Sequence, residues 1–358
     1  MKKSALASLL LIGLYGLLLT TAAPAQIANP SGELRPADPE LIWAQTMEGS
    51  RFNELWNYQF YFDNGTKLYV VFNVANFGSL KSAANGVRMS VINLKGEQFQ
   101  VAREYPLEEL VQDREDHEFR LRSDRDMFFR GELPHEHQVV VRTQKDGNVY
   151  DIELTLHNIE PGYMWGDGRF RIGDEKIGIV THIPYAEVTG YVQVNDLREE
   201  VTGRVYMDHT WQDIPTTSLM RSGYRFVSLN DRDNWDVFYF LLPDGSRDRQ
   251  TLGYRLQKTG GEVQLSAVQR ITDIHPGRAF GMNVDRIVEL ETNRGSSIRI
   301  TRVEDQEKSS ILGELGWLAR RAARTFLGGD VIDFRGEAML HEPGERPVRG
   351  EYNFFLVD

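Results

Sequence analysis

From Leu55 onward the chain is written in short runs in which apolar and polar residues alternate, broken by glycine-containing turns. The stretch "LWNYQFYFDNGTKLYVVFNVANF" is the clearest case: Trp56, Tyr58, Phe60 and Phe62 fall on one face of a strand, and Asn64-Gly65 separates two such runs. Strand side chains point alternately to the two faces, and Asn-Gly supplies the positive-φ pair that a two-residue hairpin turn needs. The pattern repeats around Lys95-Gly96 and Asp146-Gly147, and again where "EVTGYVQVND" meets "REEVTGRVYMDHTW". It returns around Asp244-Gly245 and Arg294-Gly295, and the chain closes with "VIDFRGEAMLHE" and "VRGEYNFFLVD". About eight short strands per half, with tight turns between them, predict an all-β protein built as barrels or sandwiches rather than an α/β fold.

One segment departs from this period. "SSILGELGWLARRAARTFLGG" places Ile311, Leu315, Leu318, Ala322 and Phe326 at helical spacing, with Arg320, Arg321 and Arg324 on a basic flank. This short amphipathic helix is expected to cover β-structure with its apolar face and to solvate its arginines. The alternative is a weak contact with an anionic membrane surface. The N-terminus also departs. Lys2 and Lys3 precede the apolar run "ALASLLLIGLYGLLL", and Ala23 and Ala25 flank Pro24, which is the pattern of a secretory signal peptide cleaved after Ala25. Residues 26–50 then read as a leader, 51–190 as one β domain and 191–358 as a second. The expected destination is outside the cytoplasmic membrane, in the periplasm of a Gram-negative cell. No other stretch is apolar enough to span a bilayer.

Composition narrows the function. Hydrophobic residues make up 41% and charged residues 26% of 358, which are globular values. Loss of the signal peptide takes the formal charge from −11 to −13, so a general nucleic-acid partner is not expected. The absence of cysteine removes disulfides, thiol nucleophiles and thiolate metal sites. No H-E-x-x-H, G-x-S-x-G, P-loop or dinucleotide fingerprint is present, and no cofactor is expected. His135 and His137, two apart in "PHEHQ", have no evident third ligand, so no metal site is assigned to them.

Two stretches carry candidate chemistry. "EPGYMWGDGRF" combines glycines with Tyr163, Met164 and Trp165, and suits either the mouth of an apolar pocket or a turn whose aromatics are buried. "VTGRVYMDHTWQD" is a strand whose alternation puts Val205, Met207, His209 and Trp211 on one face and Tyr206, Asp208 and Thr210 on the other. The first face reads as core. The second is either solvated or the polar patch of a cavity. Tyr206 can therefore act with Asp208, and His209 with Trp211, but the two pairs do not converge without a bulge.

With these stretches together, "WNYQFYFDNGTKLYVVFNVANFG", "EPGYMWGDGRF", "IPYAEVTGYVQVNDLREEVTGRVYMDHTWQD" and "NWDVFYFLLPDGS", the chain resembles the two-domain lipocalin-like family. That family includes carotenoid 1,2-hydratase (hydroxyneurosporene synthase), AttH-like bacterial proteins, fungal survival-factor proteins and some pericyclases. The resemblance implies two tandem lipocalin-like β-barrels that hold a hydrophobic, lipid-like or isoprenoid small molecule. It also implies an alternative, a hydratase, isomerase or cyclase using acid chemistry on an alkene. In the hydratases an Asp two residues after a Tyr protonates the double bond; Tyr206 and Asp208 match that arrangement. A His-x-Trp pair lies upstream in those enzymes; here His182 matches the His, and Pro184 stands in place of the Trp. The expected catalytic set is Asp208, Tyr206 and His182, and the expected ligand contacts are Trp165, Tyr163, Trp211, Tyr224 and Trp235. A carboxyl able to protonate an alkene must be kept neutral near pH 7 by burial.

Overall fold

The computed structural model describes residues 26–78, 82–310, 312–313, 321, 324–325 and 328–358. The signal peptide expected over residues 1–25 lies outside them, as does most of the helix expected over residues 309–329. Among the described residues no helix is long and apolar enough to cross a membrane.

The protein is all-β. Its first part contains β1 (Ile27–Ala28), β2 (Leu34–Pro36), β3 (Phe52–Phe62), β4 (Lys67–Asn76), β5 (Ala84–Leu94), β6 (Glu97–Pro106), β7 (Val111–Asp113) and β8 (Glu118–Arg120). It continues with β9 (Met127–Arg130), β10 (His137–Lys145), β11 (Asn148–His157), β12 (Tyr163–Trp165), β13 (Arg169–Ile172), β14 (Glu175–Val194) and β15 (Leu197–Gln212). These fifteen strands form one sheet whose main path runs β6-β5-β4-β3-β15-β14-β11-β10-β9-β8-β7. A one-turn helix, α1 (Thr216–Leu219), leads into the second part. That part comprises β16 (Met220–Asp231), β17 (Asn234–Pro243), β18 (Leu252–Thr259), β19 (Glu262–Ala279), β20 (Met282–Thr292), β21 (Ser297–Ser310), β22 (Val331–His341) and β23 (Val348–Val357). The eight close into a barrel in sequence order, with β23 pairing back onto β16.

Of the two barrels expected, the second is thus a closed barrel. The first is a long sheet that curls over its own core and ends at β6 and β7. Every Gly turn singled out in the sequence falls between consecutive strands or at a strand end, as at Asn64-Gly65 between β3 and β4. The expected division at residues 190 and 191 lies inside β14, whose pairing with β15 continues through Gly190 and Tyr191. The covalent passage from sheet to barrel is residues 213–219.

Three apolar clusters follow from strand alternation. Inside the curled sheet lie Trp56, Tyr58, Phe60, Phe72, Phe119 and Phe129 with Val205 and Met207. Inside the barrel lie Tyr224, Phe226, Phe238, Phe240 and Phe354. The third cluster joins the two units: Phe170, Ile177, Ile179, Tyr185 and Tyr206 from the sheet meet Val227, Trp235, Val237, Tyr239, Tyr254 and Phe355 from the outer wall of the barrel. This explains why β17 reads as the near-continuous apolar run "VFYFLLP". Both of its faces are buried, one in the barrel and one in the seam between units.

The leader is part of the first unit rather than a free linker. Trp43 is buried in the sheet's core, with Ile42, Ala44 and Met47 packed against it. The Trp56 indole donates to the Ile42 carbonyl at 2.7 Å.

Candidate functional site

Strand β15 places the candidate chemistry. Its alternation is as the sequence predicts: Val205 and Met207 enter the sheet's core, while Tyr206 enters the seam. The seam face is not solvated. Tyr206 and Asp208 are fully buried and Thr210 and Gln212 nearly so, because the barrel covers them. Gly178, which pairs with Trp211 across β14 and β15, shows how tight the opposite face is: a Cβ there would lie 1.9 Å from the Trp211 ring.

Asp208 meets the barrel through Arg225. The guanidinium donates from Nε to Oδ2 at 2.9 Å and from an Nη to Oδ1 at 3.0 Å, a two-pronged pair. Asn57 donates to Oδ2 at 3.2 Å and Thr210 to Oδ1 at 3.4 Å. Arg225 lies 3.8 Å from the centre of the Tyr239 ring and donates to Asn353 at 3.3 Å. Burial alone would lower the guanidinium's pKa, but the Asp208 charge outweighs it and holds the pKa above its ordinary value. Both oxygens of Asp208 are therefore committed to fixed donors.

Next to this pair, one rung of the sheet carries buried polar atoms without partners. Tyr206 on β15 is opposite Gln59 on β3, which is opposite Tyr69 on β4. The Tyr206 hydroxyl, the Gln59 side-chain nitrogen and the Tyr69 hydroxyl make no hydrogen bond of ordinary geometry with any described residue. Burial, reinforced by the Asp208 charge, pushes the Tyr206 phenol well above its usual pKa, so it stays a donor. Tyr61 donates to the Gln59 oxygen at 2.6 Å, which leaves the amide nitrogen aimed elsewhere. The barrel brings Arg335 over the Tyr69 ring at 4.6 Å and Glu351 onto Lys67 of β4 at 2.6 Å. The Arg335 Nε and Glu351 Oε2 atoms are likewise buried and unpartnered.

The sequence-derived candidates separate into three places. Tyr206 and Asp208 lie at the seam. So do Tyr163 and Trp165, packed against the seam cluster, and Trp235, which belongs to it. Tyr163 and Trp235 have ring centres 6.5 Å apart, and Trp165 is edge-on to Phe170 at 5.9 Å. The Trp235 indole N–H is another buried donor without a partner. In the "EPGYMWGDGRF" loop Met164 is buried with Val180 and Trp211, while Tyr163 and Trp165 pack against the seam cluster. Glu160 at its head ties the loop to the barrel through Arg232 at 2.5 Å and Lys258 at 2.7 Å.

Tyr224 points into the barrel instead, donating to Asp285 at 2.7 Å and stacking on Phe240. Trp211 and His182 lie on the other face of the sheet, beside His209. The pairing of β14 with β15 shifts register between Thr181 and Ile183, so Thr181 stays opposite Asp208 while His182 turns away from it. His182 therefore does not join Tyr206 and Asp208.

The His209 face forms a second polar cluster, closed by the leader. Glu54 accepts from the Gln45 and Thr46 backbone N–H groups, the Thr46 hydroxyl and His209 Nε2 at 3.1 Å. His209 Nδ1 faces the Leu41 carbonyl at 2.7 Å, which His182 also reaches at 3.2 Å. Both ring nitrogens of His209 thus face oxygen atoms, Glu54 on one side and the Leu41 carbonyl on the other. Glu54 is the anchor of residues 41–46. Glu54→Gln replaces an acceptor oxygen by a donor and is expected to cost about 1–3 kcal/mol in urea denaturation. A cost below about 0.5 kcal/mol would mean that the leader is held by its apolar contacts alone.

Sequence reasoning missed Asn57, Gln59, Lys67, Tyr69, Arg225, Arg335 and Glu351. A signal was present for three of them: Asn57, Gln59 and Arg225 are polar residues flanked on both sides by aromatic residues, as in "GYRFVSL". Among the described residues no group of three or more His, Asp or Glu could hold a metal ion.

No family model matches the sequence, and no curated protein matches it either. Solved structures do share the fold. A protein from Nitrosomonas europaea assigned as an AttH superposes with a TM-score of 0.62 at 11% identity, covering 91% of this chain and 99% of that one. CghA with Sch210972 gives 0.59 at 12% identity, covering 91% and 98%. Kievitone hydratase from Nectria haematococca gives 0.51 at 12% identity, covering 93% and 98%. At these identities the likeness establishes that the chain shares the two-unit β architecture of those proteins, and nothing finer.

Proposed function

We propose that the protein holds an apolar small molecule at the seam between sheet and barrel, through an oxygen of that molecule. One observation carries this reading. The buried N–H and O–H groups of Gln59, Tyr69 and Trp235 lack partners, and the Tyr206 hydroxyl has at most the Thr181 side chain near it. Tyr206 and Trp235 belong to the aromatic and aliphatic seam cluster, and Gln59 and Tyr69 share the rung of Tyr206. A buried donor left unpaired costs about 1–3 kcal/mol, so several in one place mark a site that some acceptor completes. Donors outnumber acceptors among the unpaired atoms, which suits a carbonyl or hydroxyl oxygen on a lipid-like or isoprenoid skeleton. The signal-peptide pattern is consistent with a carrier working outside the cytoplasmic membrane.

Tyr206→Phe tests the reading. Removing an unsatisfied hydroxyl should leave the stability of the free protein unchanged or slightly raised. Affinity for an apolar carbonyl compound such as Nile red should fall about 5–10-fold, the worth of one hydrogen bond. If the variant binds as well as the wild type, or if mildly purified protein neither carries an apolar molecule by native mass spectrometry nor binds the dye, the seam is not the site.

A second reading is enzymatic: acid-assisted hydration, isomerisation or cyclisation of a bound alkene. The Tyr239, Tyr254 and Trp235 rings at the seam are suited to stabilise a developing cation, and one protein of this fold is named a hydratase. In this reading Asp208 is the countercharge that positions Arg225, because both its oxygens are occupied.

A further inference from the structure

Four carboxyl groups at the seam, three of them buried and Glu351 half-buried, differ in how their oxygens are used. Asp208 has both on Arg225. Glu307 gives Oε2 to Arg335 at 2.6 Å and Oε1 to Gln100 at 2.6 Å. Glu160 gives one oxygen to Arg232 and the other to Lys258. Glu351 alone among these four keeps an oxygen back: Oε1 accepts from Lys67, while Oε2 is buried with no partner.

Glu351 is also well placed. On β23 it pairs with Val227 of β16, a member of the seam cluster. Lys67, which holds it, pairs across β4 and β3 with Tyr61, whose hydroxyl reaches Gln59. The charges of Glu351 and Arg335 are felt by both Tyr61 and Tyr69. The unused oxygen therefore belongs to the same neighbourhood as the unpaired Tyr69, Gln59 and Tyr206 donors. The groups around it are Lys67, Tyr61 and Tyr69 from the sheet, and Glu337, Arg335, Glu307 and Arg349 from the barrel. Burial pushes the Glu351 carboxyl up to about 7 despite the pull of Lys67, with Glu337 adding to the rise.

We propose that the free oxygen of Glu351, carried as a carboxylic acid, donates a hydrogen bond to the oxygen of the seam ligand, so that ligand uptake is coupled to one proton. The proposal rests on the seam being the ligand site. Its consequence is that a neutral apolar carbonyl compound binds while Glu351 is protonated and is released as the carboxyl ionises. An ionised carboxylate offers only lone pairs to the ligand's oxygen and repels it. The same protonated carboxyl is the group from which an acid-assisted reaction would draw its proton.

The experiment is a titration of the full chain with Nile red, a neutral dye bearing a carbonyl oxygen, at constant salt. In the wild type, affinity should fall about tenfold between about pH 6 and pH 8. Glu351→Gln, which keeps an uncharged donor in place, should bind with no such fall. Lys67→Met removes the cation that holds down the carboxyl's pKa and should move the midpoint to higher pH. Wild-type binding independent of pH, or the same fall in Glu351→Gln, overturns the role of Glu351 while leaving the seam site standing. Absence of dye binding in every protein, or binding insensitive to Tyr206→Phe, overturns the seam site itself and the proposal with it.

Discussion

Arg225→Met is expected to destabilise the protein by about 3–5 kcal/mol, more than any other single change considered. The wild-type pair is wholly buried, and the guanidinium answers both oxygens of Asp208, at 2.9 and 3.0 Å. Methionine keeps most of the volume and removes the charge. Asp208 would then keep only Asn57 at 3.2 Å and Thr210 at 3.4 Å, neither of which carries a charge. An uncompensated buried carboxylate is the costly outcome, whereas removing both partners together is far milder. The double variant Arg225→Met with Asp208→Asn should therefore recover most of the loss. Urea denaturation of the four proteins in the cycle measures the coupling directly. A single-variant loss under about 1 kcal/mol, or a double variant no better than Arg225→Met, would show that the pair does not hold the units together as described.

Acidification is the second large effect, and it works through two histidines. Burial pushes His137 down to about 4, and burial with the nearby His209 charge pushes His182 down to about 3. Both titrate near 6.5 in the unfolded chain. Below that value the unfolded chain takes up protons that the folded protein refuses. Stability is therefore whole above about pH 6.5 and declines as the pH drops toward the folded values. At about pH 6.5 the unfolded histidines are already half protonated, and each further unit costs up to about 1.4 kcal/mol per histidine, so moving to about pH 5 costs about 3 kcal/mol. Glu351 opposes this. Its folded pKa, pushed up to about 7, makes the folded state the better proton acceptor, so its contribution is present at low pH and lost as pH rises through about 7. Over the same interval it offsets about 2 kcal/mol. The wild type should thus lose about 1 kcal/mol and Glu351→Gln about 3. In His182→Gln the histidine part of the loss should halve. Equal stability at the two pH values in Glu351→Gln would mean that the buried histidines accept protons without cost.

The long hairpins, their turns and the facing of the side chains along β3 and β15 were legible in the sequence, while the short strands β1, β2, β7, β8, β9 and β13 were not. Trp56, Tyr58 and Phe60 share a core face, and Tyr206 and Asp208 share the face opposite Val205 and Met207, because alternation along a strand depends only on local geometry. The loop from Glu160 to Phe170 was legible as a candidate, though not as a link between units. Trp211, Tyr224 and His182 carry the right residue types but sit elsewhere. Tyr224 has the inward parity of β16, and a register shift in β14 turns His182 away from Asp208. Periodicity does not encode a bulge until the partner strand is known.

What the sequence determined by itself was therefore the all-β class, the hairpins and the two faces of β15. What covers the second face was decided only by tertiary structure. A polar residue on the outward face of a strand looks the same in sequence whether it meets water or another unit. Docking the barrel on the sheet turned that face into an interior, paired Asp208 with Arg225 from another strand, and left buried atoms of Tyr206, Gln59, Tyr69 and Glu351 unanswered. Partnership and burial of this kind are long-range properties. Strand alternation assigns a side chain to a face, and only the packing of one unit on the other fixes what that face meets.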